Sequence, residues 1–98
     1  MEDSKIISLF VSRQESGIVE LVVKYGSHLR RMAYGILNSS EDAKECENDT
    51  YLRTWNTIPP VIPESLKAYV TRIVRNLSLD RYRARNTGKR SFEVDCLH

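Results

Sequence analysis

Apolar residues recur along the chain at helical rather than strand-like spacing. Over Asp3 to about Ser12 they follow an i, i+3, i+4 pattern, which predicts a short amphipathic helix. After an interruption at Ser16-Gly17, the same period runs from Ile18 to Leu37. A glycine inside a helix costs about 1 kcal/mol, so Gly26 leaves open whether this second segment is one helix or two in line with a kink.

A third helix is predicted after the polar stretch Asn38-Ser39-Ser40. Either Ser39 or Ser40 can cap it, and acidic residues then stand in its first turn, where the helix dipole favours them. The helical pattern continues to about Asn56.

The segment from Thr57 to Pro63 cannot be helical, because three of its residues are prolines, which lack the backbone N–H donor and fix φ. A fourth helix opens at Ser65, or at Pro63-Glu64 just before it, and extends to about Thr87, with Gly88 as a natural C-cap. No run of four or more residues alternates as a strand would. We therefore predict an all-α fold, a compact bundle of about four helices with a long, basic C-terminal helix.

Length and composition indicate a single globular domain. The chain has 98 residues, of which 41% are hydrophobic and 29% are charged. No apolar run approaches the roughly 18 residues of a membrane span. The N-terminus, MEDSKIISLF, begins with acidic residues, the wrong sign for a signal peptide. We therefore expect a cytoplasmic protein without membrane contact.

Side chains that could support catalysis or metal binding are few. Cys46 and Cys96 form no CxxC pair; we expect Cys46 to be buried and Cys96 to be incidental. His28 and His98 have no partners at metal-ligand spacing. The chain also lacks a Ser-His-Asp arrangement, a glycine-rich phosphate loop and an HExxH motif. We expect no metal site, no cofactor and no enzymatic activity.

Charge divides the chain into two unlike halves. Residues 1–50 carry six basic and nine acidic side chains, a net charge of −3, whereas residues 51–98 carry nine basic and four acidic ones, a net charge of +5. Five acids lie between Glu41 and Asp49, and seven basic groups lie between Arg72 and Arg90. This polarity predicts two different partners, although two solvated helix faces would show the same pattern.

The fourth helix has a core stripe and a contrasting outer column. Its predicted core face is Leu66, Val70, Ile73, Leu77 and Ala84, with Tyr69 and Val74 at the edges. The outer column is Arg72, Asn76, Leu79, Arg83, Asn86 and Arg90. Arginines can contact phosphates and Asn can bond a base edge, so the column favours nucleic acid over an ordinary solvated face, which would usually carry i, i+4 Glu–Lys pairs.

The third helix has the opposite character. Its predicted inward residues are Ala43, Cys46, Thr50, Thr54 and Ile58, and its outward column is Glu41, Glu45, Asn48, Asp49 and Leu52. An exposed leucine among acids is typical of a protein-docking face, although single exposed leucines are also common. Glu47 falls on the inward side, so it must reach solvent or find a partner that the sequence does not identify.

Two strings, SEDAKECENDTYLRTWNTIPP and SLKAYVTRIVRNLSLDRYRARN, resemble region two of a bacterial extracytoplasmic-function (ECF) sigma factor. The resemblance extends from about Ile18 through Arg90. It implies a helical domain that binds core RNA polymerase and recognises and melts the promoter minus-ten element, giving transcription initiation. A non-specific basic helical nucleic-acid-binding module and a helical protein-interaction adaptor remain the alternatives.

Residue roles follow from this resemblance position by position. The segment that docks on the clamp helices of the polymerase β′ subunit corresponds to Glu45, Asn48, Asp49, Leu52 and Arg53. The loop that captures a flipped-out base of the single-stranded non-template strand corresponds to Ile58, Pro59, Pro60, Val61, Ile62 and Pro63. Promoter DNA contacts fall on Arg72, Asn76, Leu79, Asp80, Arg83 and Arg90, with Asn76 beside the base pocket. An anti-sigma factor is a further candidate partner.

The chain also departs from the pattern of such factors. Lys44 stands where relatives often have an acid, and Glu47 stands where many have an apolar residue. Tyr51 and Trp55 match aromatic positions that we interpret as core or clamp-edge packing. We assign residues 1–90 to the region-two domain and interpret residues 91–98 as a tail or the start of a linker to an absent region-four domain.

Overall fold

Four α-helices build the structure, a computed structural model that describes the backbone of residues 1–97 and the side chains of residues 1–86. They are α1 (Asp3–Val11), α2 (Ser16–Leu37), α3 (Ser40–Thr57) and α4 (Leu66–Leu97). Residues 1–97 contain no β-strand. The predicted all-α bundle of four helices with a long C-terminal helix is confirmed.

Local side-chain chemistry sets the helix boundaries near the predicted positions. Asn38 ends α2 in the left-handed conformation, with a φ of 53°. The Ser39 side chain accepts a hydrogen bond from the Asp42 backbone N–H at 3.2 Å, so Ser39 is the N-cap of α3. Ser65 does the same for the Ala68 N–H at 3.2 Å and opens α4.

All four glycines of the chain lie within helices, and two of them bear on the predicted helix boundaries. α2 is continuous through Gly26, where an added Cβ would lie 3.2 Å from Tyr51 Oη and 3.3 Å from Glu47 Oε2. Gly26 therefore allows α3 to approach α2 closely. α4 continues through Gly88 to Leu97, so the predicted C-cap at Gly88 is wrong; a glycine weakens a helix by about 1 kcal/mol but does not by itself end it.

The core lies around α2, which packs against each of the other three helices. The inward residues predicted for α3 are all buried: four lie within the helix and Ile58 lies just after its end. The buried apolar cluster is Ile6, Phe10, Leu21, Tyr25, Leu29, Ala33, Leu37, Ala43, Cys46, Tyr51, Ile58, Leu66, Val70 and Val74.

The core face of α4 is shorter than its apolar period suggested. Its first three predicted residues are buried, but Ala84 is exposed, and Val74 is fully buried rather than at an edge. Arg85 donates to the carbonyl oxygen of Leu37, the last residue of α2, at 3.0 Å. The end of α2 therefore lies near Ala84. Beyond this point α4 has no part of α2 to pack against, so its apolar side chains there are not covered by that helix.

Other expectations concern reactive groups and membranes. Cys46 is buried, as predicted, whereas Cys96 and His98 lie outside the described side chains. Within the described residues no helix has the length and apolarity needed to cross a bilayer. In the same part of the chain, no three His, Cys, Asp or Glu side chains are grouped so that they could hold a metal ion.

Candidate nucleic-acid interface

The outward column predicted on α3 is exposed, and Leu52 is its apolar centre. Leu52 is 59% exposed, and Asn48, Asp49 and Arg53 are exposed beside it. Glu45 is also exposed, but one of its carboxylate oxygens lies 3.3 Å from Arg81 Nη1 on α4. This surface therefore offers one large apolar side chain within a polar, mainly acidic surround.

The structure supplies the partner that the sequence could not assign to Glu47. Arg30 donates to its two carboxylate oxygens, through Nε at 2.8 Å and Nη2 at 3.2 Å. Tyr51 Oη donates to the same carboxylate at 2.5 Å, and Glu47 is only 3% exposed. Burial and the hydrogen bond to Glu47 raise the pKa of Tyr51, and the same carboxylate raises the pKa of Arg30. Glu47 thus fixes α3 to α2.

The loop Ile58–Pro63 joins the acidic helix to the basic one. Ile58 is fully buried and anchors the loop in the core, whereas Val61 and Ile62 are 41% and 59% exposed. Both Ile58-Pro59 and Pro59-Pro60 are cis peptide bonds. The exposed apolar side chains of this loop are Pro60, Val61 and Ile62.

Arg13 holds the start of this loop, a role that sequence reasoning missed. Its Nη1 donates to the carbonyl oxygens of Trp55 at 2.7 Å and Ile58 at 3.1 Å. Its guanidinium carbon lies 3.8 Å from the centre of the Trp55 ring, within cation–π range. Arg13 thus satisfies carbonyls at the C-terminus of α3, and no local signal could have revealed a contact 42 residues away.

A second anchor comes from α4. Tyr69 Oη donates to Thr57 Oγ1 at 2.7 Å, and the Thr57 hydroxyl lies 2.9 Å from the carbonyl oxygen of Arg53. Arg13 and Tyr69 therefore both hold the segment where α3 ends and the loop begins.

A cavity of about 320 Å³ lies between the end of the loop and the first turns of α4. It is lined by Pro63, Glu64, Ser65, Ala68, Tyr69 and Arg72. Asn76 is exposed one turn beyond Arg72 and is not part of this lining. The structure thus brings Pro63 and Arg72 together, with Asn76 on the same helix just beyond the cavity.

The remaining members of the α4 column differ in accessibility. Arg83 is exposed and lies 3.3 Å from Asp80 in an i, i+3 ion pair, while Leu79 is partly buried. The predicted DNA contact at Arg90 lies outside the described side chains. Arg72 and Asn76 are therefore the members of the column nearest the loop.

Two arginines counted in the basic segment face α3 instead. Arg81 Nη1 lies 3.2 Å from Asp42 Oδ1, and Arg85 Nη1 lies 3.2 Å from Asp42 Oδ2. Burial opposes the charge of Arg81, but the carboxylate of Glu45 and the hydrogen bond to Asp42 outweigh it and raise the pKa of Arg81. These two charges neutralise acids of α3, so the accessible basic surface is smaller than the sequence count.

The fold and its surface define a helical domain with an acidic face on α3 and exposed cations beside the proline loop at the start of α4. Residues 21–87 match the model of the Sigma-70 region 2 family. The match covers more than half of the chain, and the chain belongs to this family. The predicted resemblance to region two of an ECF sigma factor is confirmed.

A curated relative is named as a sigma factor as well. The ECF RNA polymerase sigma factor SigE of Mycolicibacterium smegmatis is 29% identical over 66 residues, which cover 67% of this chain. The matched segment spans only 26% of that relative's length. No solved structure matches the chain significantly.

Proposed function

We propose that this domain docks on the clamp helices of the β′ subunit of core RNA polymerase and recognises and melts the promoter minus-ten element during transcription initiation. The observation that carries the proposal is the family match over residues 21–87, which includes both the exposed acidic face of α3 and the loop and cations of α4. The name of the similar SigE protein, an RNA polymerase sigma factor, supports the same assignment.

Docking uses the exposed face of α3. Leu52 inserts into an apolar contact on the clamp helices while Glu45, Asn48, Asp49 and Arg53 surround it. An exposed apolar side chain with a charged rim is a favourable centre for an interface. The Arg30–Glu47–Tyr51 cluster holds this face rigid, which lowers the ordering cost of binding.

Promoter recognition uses the loop and the first half of α4. A base of the non-template strand leaves the stack and enters the cavity beside Pro63, and Asn76 bonds its edge while Arg72 and Arg83 contact phosphates. Two anchors, Arg13 and Tyr69, keep the loop in place before DNA arrives. Flipping a base costs a few kcal/mol from a duplex and much less from an open strand, so single strands bind best. An anti-sigma factor that covers either surface would inhibit the domain.

Base recognition is tested with single-stranded oligonucleotides, one of the sequence that the domain selects from a random pool and one scrambled. We expect Asn76→Ala to reduce the discrimination between them by about 1–3 kcal/mol, because a bidentate base contact is lost. Arg83→Ala is the matched control on the same helix and should weaken both oligonucleotides alike. Equal losses for both sequences in Asn76→Ala would contradict base reading and leave a non-specific nucleic-acid-binding module.

Polymerase docking is tested by pull-down of a β′ clamp fragment. Leu52→Ala should weaken binding by about 2 kcal/mol or more without changing the thermal midpoint, since its side chain is largely exposed. Val23→Ala is the control, because Val23 is 76% exposed on α2 and lies outside the proposed face. Unchanged capture of the clamp fragment by Leu52→Ala would show that polymerase does not dock there.

A further inference from the structure

The prolines of the loop remove a backbone donor that the end of α3 would otherwise use. In an α-helix, the carbonyl oxygen of one residue accepts a hydrogen bond from the N–H four residues further on. For Trp55 that donor would be Pro59, which has no N–H. The Val61 N–H, two residues later, bonds the Thr57 carbonyl oxygen at 2.9 Å. The Trp55 carbonyl therefore needs a donor from another part of the chain.

Arg13 supplies this donor from the turn between α1 and α2. The same Nη1 atom bonds the carbonyl oxygens of Trp55 and Ile58, and the guanidinium covers the Trp55 ring. Phe10 of α1 packs on that ring as well, with the ring centres 5.9 Å apart. The corner between α1 and α2 thus holds both the last turn of α3 and the first residue of the loop.

The backbone of Arg13 indicates that its side chain is what this position requires. Arg13 has a φ of 59°, in the left-handed region that glycine adopts at no steric cost. The turn itself is closed by backbone bonds, from the Arg13 N–H to Phe10 at 3.0 Å and from the Gln14 N–H to Leu9 at 2.8 Å. Arg13 is also exposed, so the core does not need it. A strained residue with these contacts points to a functional constraint.

We propose that Arg13 is a positioning residue for base selection: it orients the loop that forms one wall of the cavity for the flipped-out base. The inference rests on the proposed function, because the base enters beside Pro63. Arg13 precedes residues 21–87, which match the family model, so this role does not come from the family match.

The link from Arg13 to the cavity is the course of the loop. Burial of the Ile58 side chain fixes where the loop begins, and the Arg13 bond to the Ile58 carbonyl fixes the direction in which the chain leaves the core. Val61 and Ile62 are exposed, so the core does not hold the middle of the loop. A change of direction at Ile58 therefore displaces Pro63, the wall of the cavity.

Two substitutions in the full chain separate the side chain from its charge and its backbone. Arg13→Gly removes the side chain and relieves the left-handed backbone, so a loss of function cannot be attributed to new strain. Arg13→Lys keeps the charge but loses the planar guanidinium that bonds two carbonyls and stacks on the ring. Gln14→Ala is the matched control, because Gln14 is an exposed neighbour in the same turn.

Two measurements report on the loop without DNA. The Val61 amide should exchange its hydrogen about tenfold faster in both Arg13 variants, because a charged hydrogen bond no longer opposes local opening. Trp55 is the only tryptophan of the chain, and its emission should move to longer wavelength once the guanidinium no longer covers the ring. Gln14→Ala should match the wild type in both measurements.

Fluorescence anisotropy with the selected and the scrambled single-stranded oligonucleotides then measures base selection. Both Arg13 variants should reduce the ratio of the two affinities at least about fivefold, the lower end of what one bidentate base contact supplies. The slope of log affinity against log salt should stay at the wild-type value, because a positioning residue neutralises no phosphate. A phosphate contact would instead lower that slope by about 0.7 in Arg13→Gly.

Three outcomes would overturn the role of Arg13. Wild-type exchange of the Val61 amide in both variants would show that Arg13 does not hold the loop. Faster exchange with wild-type discrimination would show that the loop does not set base selection, and a lower salt slope with equal losses for both oligonucleotides would make Arg13 a phosphate contact. A wild-type chain that does not discriminate would overturn base recognition itself, whereas the exchange rates still decide whether Arg13 holds the loop.

Discussion

The two halves of α4 use their cations in different ways. In the half next to the loop, Lys67, Arg72 and Arg75 have no acidic partner among the side chains of residues 1–86. In the next turns, Arg81 and Arg85 bond Asp42 across the bundle. Basic side chains therefore lack an acidic partner among the described residues at one end of the helix, whereas at the other they join α4 to α3.

The difference arises from what lies opposite each half. The second half passes the start of α3, where acidic residues favour the helix N-terminus and also attract arginines. The first half passes the loop and the middle of α2, which offer Ser65 and His28 but no carboxylate to a cavity between α2 and α4. Net charge along a sequence is thus a poor measure of the charge that a ligand meets.

The largest expected loss of stability comes from removing Arg30, a cation that pairs with a buried carboxylate. Arg30→Ala should lower the free energy of unfolding by about 3 kcal/mol, because it leaves the buried Glu47 without its charged partner. The matched control is Arg31→Ala, an exposed neighbour on α2 that forms no ion pair among the described side chains. Its effect should stay within about 0.5 kcal/mol.

Urea denaturation of both variants makes this measurement. Equal stability of the two variants would show that the Arg30 ion pair contributes no more than a surface contact.

A charge reversal in each half of α4 sharpens the contrast in DNA binding. Arg72→Glu should weaken single-strand binding about 25-fold at 0.1 M salt, because two units of charge change at about 0.7 decades each. Arg85→Glu changes the same charge but removes an ion pair with Asp42, so we expect a lower thermal midpoint and a much smaller loss of DNA affinity. Anisotropy and thermal unfolding separate the two effects, and similar affinity losses for both variants would erase the distinction between the halves.

The smallest effect at neutral pH concerns a folding contact between α1 and α2. Tyr25 Oη donates to Asp3 at 2.8 and 2.9 Å, and Lys24 Nζ lies 2.6 Å from the same carboxylate. Burial and the hydrogen bond to Asp3 raise the pKa of Tyr25 to about 12. The unfolded chain loses this proton at about pH 10. The stability that the Tyr25–Asp3 hydrogen bond contributes to the fold is therefore intact below pH 10 and is lost as the pH rises towards 12.

Thermal midpoints of wild type and Tyr25→Phe between pH 8 and 12 test this contribution. The wild type should lose more stability than Tyr25→Phe above pH 10. Parallel curves would show that the Tyr25 hydroxyl titrates normally and does not link α1 to α2.

Several elements of the fold and the candidate site could be predicted from sequence because their causes are local. The Ser39 cap, the helical period of α3 and the exposure of Leu52 depend on residues within a few positions of one another. The helix-breaking loop follows from its three prolines. The family resemblance added the roles, because residue patterns over residues 21–87 match a known model.

Other features depended on contacts between distant segments. Arg13 bonds the carbonyls of Trp55 and Ile58, which are more than 40 residues away in the sequence. The spacing of apolar residues in α4 predicted that Ala84 is buried, but this spacing contains no information on where α2 ends. Sequence spacing also did not indicate that Lys67 and Arg75 line a cavity together with His28 of α2.

Local sequence chemistry was enough to predict the four helices, the Ser39 and Ser65 caps, the proline loop and most of the inward and outward faces, because periodicity, capping and proline chemistry act over one or two turns. Helix packing, in contrast, set which charged side chains have partners. Glu47 pairs with Arg30, and Asp42 pairs with Arg81 and Arg85. The cations at the start of α4 form no ion pair among the described side chains. The physical reason is that an ion pair requires two side chains within about 4 Å, and helix packing rather than spacing along the chain sets that distance.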